Sequence, residues 1–219
     1  MEENKLQLKT PFGITFAQDF ITEDLSELKK IKLFAKGSNQ GSNCSTSGED
    51  PFYILKRYPR SEKILTEYFH KFSDSFYGRR INFKITTSWA IKLSHGESVH
   101  HHNHKNCQWS AVFYYGEYTR LSCPLMFQNP IRDFNPLSID SAPNTHNPML
   151  TDVAIPPQTN MLIIFPSWIY HYSQPNRETD RYSLAFNLMP VDKVGMGDST
   201  YSPEMMINKS SSKSLKGFA

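Results

Sequence analysis

The sequence predicts a mainly β chain, with helices packed on the outside of an antiparallel sandwich or jelly roll. Three observations carry this. After Gly78 the apolar period changes from about 3.6 residues to two. The short strand candidates that follow have no helical segments between them, which argues against a parallel, doubly wound sheet. The chain also holds 15 Phe and 11 Tyr, residue types that suit a pleated, half-buried surface.

The elements follow in order. Residues 6–18 (LQLKTPFGITFAQ) contain a short strand. Residues 19–35 read as a helix, with Thr22 as a candidate N-cap and Leu25, Leu28, Ile31 and Phe34 spaced by three. Residues 36–50 are rich in Gly, Ser and Asn and read as a loop. A second helix is capped by Ser61, carries Ile64, Tyr68, Phe72 and Phe76 every fourth residue, and ends at Gly78. Ile81, Phe83, Ile85, Thr87, Trp89, Ile91 and Leu93 then alternate with mostly polar residues, which describes one long half-buried strand. Further strands are expected at 109–116, 124–128, 152–155, 161–165, 169–172 and 182–189. Residues 129–150 carry four prolines and read as a long irregular loop, suited to a lid.

Length and composition set the frame. The 219 residues suit a single domain: helical support over 1–78, a jelly-roll core over 79–189, and a poorly ordered tail over 190–219. A net charge of +3 is too small to argue for nucleic acid. Cys44, Cys107 and Cys123 form no CxxC pair and no disulfide framework, as expected in a reducing compartment. No apolar signal segment follows the charged start, and no apolar run is long enough to span a bilayer. The expected location is cytoplasmic, inside a host cell if the chain is phage-encoded, with no membrane partner.

The chemistry concentrates in histidine. Of eight histidines, four fall within residues 100–104. In extended chain, residues two apart share a face, so two imidazoles at that spacing can grip one metal ion. His102 with His104 meets this, and so does His100 with His102. His171, on an apolar strand within FPSWIYHYSQPN, is the candidate third ligand. His95 and Glu97 offer a rival H-x-E pair that would join His171. Arg181 lies ten residues beyond His171, with Ser183 two further on. If 176–180 is a turn, these strands are antiparallel neighbours, and Arg181, Ser183, Ala185 and Asn187 share one face. An arginine turned into a small barrel calls for a buried anion. A dicarboxylate fits, gripped by the guanidinium fork and the Ser183 hydroxyl.

These residues resemble a known family. The pattern of His-x-His, a strand histidine about 66 residues later and then Arg-x-Ser is similar to the iron(II)/2-oxoglutarate-dependent dioxygenase superfamily. More narrowly, HNHKN (102–106), SAVFYY (110–115), FPSWIYH (165–171) and RYSLAFN (181–187) resemble a family of oxygenases found in phages and bacteria. The similarity spans residues 83–189, and its last two segments are the most specific. The resemblance implies a double-stranded β-helix. It implies iron(II) held by His102, His104 and His171, with 2-oxoglutarate held by Arg181 and Ser183 and oxygen as the oxidant. The expected activity is that of a dioxygenase acting as a hydroxylase. Two departures stand out. Most of the superfamily has a carboxylate where His104 stands, so this site is one negative charge poorer. Ala111 stands where a glycine is usual.

Trp89, Trp109, Tyr114 and Trp168 are candidates to line the cavity, each also readable as plain core. Two other functions fit parts of the pattern. A cupin-like three-histidine dioxygenase would need no Arg181–Ser183 pair. A non-catalytic, virion-associated jelly-roll module would hold a structural zinc, with Cys107 near the cluster. The substrate class stays open between a protein side chain, a nucleic-acid base and a small molecule, and the oligomeric state is not encoded in any pattern above.

Overall fold

The computed structural model describes residues 13–35, 45–47, 52–130, 152–177 and 180–203. Among the described residues, ten strands and one long helix make up the frame. The strands are β1 (Ala17–Phe20), β2 (Leu33–Ala35), β3 (Ser45–Ser47), β4 (Phe83–Leu93), β5 (Trp109–Phe113), β6 (Leu125–Phe127), β7 (Val153–Ile155), β8 (Met161–Pro166), β9 (His171–Ser173) and β10 (Arg181–Pro190). The helix α1 spans Pro59–Tyr77. Seven strands form one sheet in the order β1-β8-β5-β10-β4-β3-β2, and three form a second in the order β7-β6-β9. All these strand pairs are antiparallel. The result is the double-stranded β-helix core that the sequence predicts. No helix among the described residues is long and apolar enough to cross a membrane.

The large sheet is covered on both faces. Along β10, Leu184, Phe186 and Leu188 join Leu65, Phe69 and Phe113 in a core beneath α1. Ala185 instead packs with Val112, Leu125, Phe127, Ile163 and Phe165, between the sheets. Strand side chains alternate between faces, so the two-faced pattern of one strand serves two cores. This accounts for the unbroken burial of β5, which no simple half-buried strand would show.

The chemistry of α1 explains its bounds. Pro59 stands near the start, where its missing N–H costs nothing. Gly78 closes the helix with φ 64°, a conformation that glycine adopts freely. Ser61 is not the cap. It lies inside the first turn, and both its N–H (3.1 Å) and its hydroxyl donate to the Glu27 carboxylate. A carboxylate from another segment thus satisfies the helix start. The core face runs along Leu65, Tyr68 and Phe69, while Phe76 is 45% exposed.

Four other expectations are corrected. Residues 19–35 form no α-helix: a 3-10 turn spans Ser26–Lys30, and Leu33–Ala35 is strand. The apolar spacing of three is itself the 3-10 period, and it buries Leu25, Leu28 and Ile31. The Ser-rich segment 36–50 contains β3, which pairs with β2 and β4. The long strand β4 does not keep one face. Asn187 of β10 opposes Thr87 while Leu188 opposes Ile85, so Thr86 is a bulge residue. Phe83 and Ile85 therefore lie in the α1 core, whereas Trp89 packs between the sheets. Finally, β9 pairs with β6 and β10 pairs with β4 and β5, so the strands of His171 and Arg181 sit in opposite sheets, not side by side.

Of the lid segment 129–150, all but Asn129 and Pro130 lies outside the described residues. Of the expected tail, 190–203 are described: Val191 donates to Asn82 O (2.9 Å), and Val194 pairs with Tyr201. Residues 204–219 lie outside.

Phe69 is fully buried against Phe72 and Phe83, with ring centroids 5.6 and 4.9 Å away. Phe69→Ala is expected to lower the unfolding free energy in urea by about 3–5 kcal/mol. Phe76→Ala should cost only about 1 kcal/mol, in line with its partial exposure. Equal losses at the two positions would contradict this placement of the core.

Candidate metal centre

The three candidate ligands come from two chain segments that fold onto each other. His102 and His171 form a reciprocal backbone pair: His102 N donates to His171 O (3.0 Å) and His171 N to His102 O (2.8 Å). The His104 N–H donates to Ser167 O at 2.9 Å. Within FPSWIYH several residues hold the site together. Phe165 packs edge-on against the His171 ring at 4.9 Å. The Ser167 hydroxyl donates to Cys107 O (2.6 Å), and Asn103 Nδ2 donates to Trp168 O (3.1 Å). These contacts tie the 102–108 loop to the turn after β8.

The outcome is a cluster. The ligand atoms of His102, His104 and His171 lie within 4.8 Å of one another, the only such group among the described residues. Ring centroids are 4.3 Å apart for His102–His171 and 5.0 Å for both other pairs. Two rings have a fixed tautomer. The Nδ1–H of His102 meets His100 O at 2.8 Å, and that of His171 meets Ile169 O at 3.1 Å. A ring that donates through Nδ1 carries its lone pair on Nε2, the atom that can bind a metal. Burial holds the His104 ring neutral, its pKa lowered to about 4, with His102 adding to the effect. The same causes hold His171 well below its usual value, burial first and then His102 and His104. Neutral imidazoles are the metal-binding form.

The rival pair is elsewhere. His95 is exposed on a turn in which Gly96 has φ 81°, and Glu97 Oε2 accepts from Ser94 N at 2.7 Å. The His100 ring packs tilted against His102 at 4.8 Å, and His101 lies flat on Tyr170 at 4.7 Å. Cys107 is not part of the cluster; its thiol faces Lys105 O at 3.5 Å.

A narrow cavity between the sheets joins the histidines to Arg181, Ser183, Ala185 and Asn187, which share one face of β10 as expected. Arg181 is 3% exposed. Its Nη2 donates to Tyr114 OH at 2.8 Å, and its guanidinium carbon sits 5.0 Å from the Tyr114 ring centroid. Its Nε is buried with no partner, and no carboxylate pairs with it among the described residues. The nearest acid in sequence, Asp180, is already engaged by Lys92, Ser94 and Tyr182. Ser183 opens on the same cavity.

Sequence reasoning places Tyr114 only among cavity candidates and misses its bond to Arg181. The register that sets Phe113 opposite Leu184, and so brings Tyr114 beside Arg181, is not written in either segment alone. Also missed is the wall formed by Asn187: Ser110 Oγ donates to its Oδ1 (2.7 Å) and its Nδ2 to Thr87 Oγ1 (2.9 Å). Of the other aromatic candidates, Trp89 lines the cavity, Trp109 belongs to the α1 core, and Trp168 is mostly exposed.

Comparison with known proteins agrees with this geometry. Residues 87–187 match the profile of the family described as "Putative 2OG-Fe(II) oxygenase". No curated protein sequence matches the chain. Among solved structures, an oxidoreductase of the 2OG-Fe(II) oxygenase family from Burkholderia pseudomallei superposes with a TM-score of 0.52 at 13% identity, covering 79% of this chain and 84% of its own. A Pseudomonas putida prolyl-4-hydroxylase gives 0.50 at 15% identity, over 80% and 92%. The non-heme alpha ketoglutarate dependent epimerase SnoN from nogalamycin biosynthesis gives 0.58 at 10% identity, over 81% and 77%. At these identities the structures speak to the fold. The family profile covers the stretch that carries both the histidine cluster and Arg181, and over that stretch the chain is similar to the 2OG-Fe(II) oxygenases.

Proposed function

We propose that the chain is an iron(II)- and 2-oxoglutarate-dependent hydroxylase, with iron held by His102, His104 and His171 and the co-substrate held by Arg181, Ser183 and Tyr114. The observation that carries this is the pairing of a three-imidazole cluster with a buried guanidinium that meets no carboxylate among the described residues, in one cavity. A cupin-like dioxygenase without 2-oxoglutarate would have no use for that cation.

The residues fit the group. Three neutral nitrogen donors suit iron(II) and leave coordination positions for other ligands. The bound iron, 2-oxoglutarate and oxygen would supply the oxidising chemistry, in which co-substrate decarboxylation is coupled to oxidation of a substrate bond. The chain's own residues do the rest. Arg181 supplies the fixed positive charge and a fork matched to the far carboxylate of the co-substrate. Tyr114, whose hydroxyl is kept protonated by burial, has its proton free for that carboxylate while its oxygen accepts from Arg181. Ser183 adds a third donor from the same wall. The apolar sides of the cavity, Val112, Leu125 and Phe165, exclude water.

The ligand assignment gives a direct test. His102→Ala, His104→Ala and His171→Ala are each expected to abolish iron(II) binding, read as metal content of the purified variants. His95→Ala, His100→Ala and His101→Ala should largely keep it. Loss of iron in His95→Ala and Glu97→Ala, with retention in His104→Ala, would transfer the site to the rival pair.

Arg181 gives a second test. Hydrogen bonds to charged groups contribute about 1.5–3 kcal/mol each. Losing a two-bond clamp should raise the 2-oxoglutarate Kd about a hundredfold or more. Arg181→Lys keeps charge but not the fork and should fall between wild type and Arg181→Ala, with iron binding intact in both. A folded Arg181→Ala protein that binds 2-oxoglutarate as tightly as wild type would remove the co-substrate assignment.

A further inference from the structure

The three histidines are not held alike. The rings of His102 and His171 are each pinned through Nδ1 by the carbonyl two residues before. His171 is also wedged between Phe165 and Phe127, with ring centroids 4.9 and 6.1 Å away. The His104 ring has no hydrogen-bond partner among the described residues; its backbone N–H is anchored, but that does not set the ring's rotation. Outside the triad, the ring packed against it is Trp89, edge-on, with centroids 5.2 Å apart and planes at 63°.

Trp89 has this place for a structural reason. The bulge at Thr86 turns it from the α1 side into the space between the sheets. There it stands opposite Ala185, whose small side chain leaves room for an indole. An imidazole at position 104 is longer and flatter than a carboxylate, and it binds metal only with its ring plane correctly turned. A carboxylate accepts metal through either oxygen and has no such demand.

We propose that Trp89 is a positioning residue for His104: its indole, rather than a hydrogen bond, sets the ring plane of the third ligand. This rests on His104 being a ligand. The coupling is specific to imidazole, so it should vanish when residue 104 is aspartate.

The test is titration with cobalt(II), read by visible absorption and Kd, in wild type, Trp89→Phe and Trp89→Leu, and again with each change in a His104→Asp background. Trp89→Leu is expected to weaken cobalt(II) about tenfold, the low end of the usual effect of losing the group behind a metal ligand. Trp89→Phe, which keeps an aromatic edge, should rescue most of that loss. With His104→Asp, the Trp89→Leu change should matter by no more than about twofold, the scatter of independent sites. Should Trp89→Leu fail to fold, Trp89→Met takes its place. A folded variant with wild-type affinity overturns the proposal, and so does an equal loss in both backgrounds, which would mark a general effect of the cavity. Unimpaired cobalt(II) binding by His102→Ala is a different failure: it would remove the ligand assignment itself.

Discussion

A guanidinium sealed between two sheets is the constraint around which the site is built. Breaking a buried ion pair by removing one partner costs about 3–5 kcal/mol, because a buried charge needs a counter-charge. Among the described residues Arg181 has only part of what it needs: one hydroxyl acceptor and the face of one tyrosine, both from Tyr114, with no partner for its Nε. The deficit is local and directional. It faces the cavity that ends at the histidine cluster, so an anion entering there would complete the pairing and be aimed at the metal by the same contact.

The rest of the fold serves that alignment. The strand β10 is central, flanked by β4 and β5, and its alternate residues are apolar toward α1 and functional toward the cavity. The Thr86 bulge brings the far half of β4 into phase with that inner face. The turn after β8 holds the ligand loop through Ser167, so the segment that presents His171 also fixes the backbone of His104. Imidazole ligands bring no negative charge, so a metal held by these three histidines would keep its full charge within the ligand set. The positive Arg181 lies in the same cavity, so the site as a whole favours anions more than one with a carboxylate ligand would.

Much of this is legible in the sequence, and what is not has definable causes. Strand geometry links positions two apart, so spacing makes His102, His104, His171, Arg181 and Ser183 candidates beside His100 and the His95–Glu97 pair, and the family resemblance selects among them. The helix α1 announces itself by an aromatic stripe and a terminal glycine. The segment 19–35 misleads because an apolar spacing of three suits both a short 3-10 turn and one face of an α-helix, and only tertiary packing decides. The bulge leaves no trace, since apolar alternation continues through Thr86 while the faces exchange. Likewise, the ten-residue step from His171 to Arg181 suggests a hairpin, yet β9 lies in the other sheet. The contacts that depend on register, Tyr114 with Arg181 and Trp89 with His104, become visible only once the sheets are assembled.

Most rests on one cavity joining three histidines that would hold iron to an arginine that would hold 2-oxoglutarate. Succinate formation from 2-oxoglutarate under air, with iron(II)-loaded protein against iron(II) in buffer, measures this most directly. The account predicts succinate above the buffer rate in the wild type and at the buffer rate in folded His171→Ala. A folded, iron-loaded wild type that consumes 2-oxoglutarate no faster than buffer would contradict it.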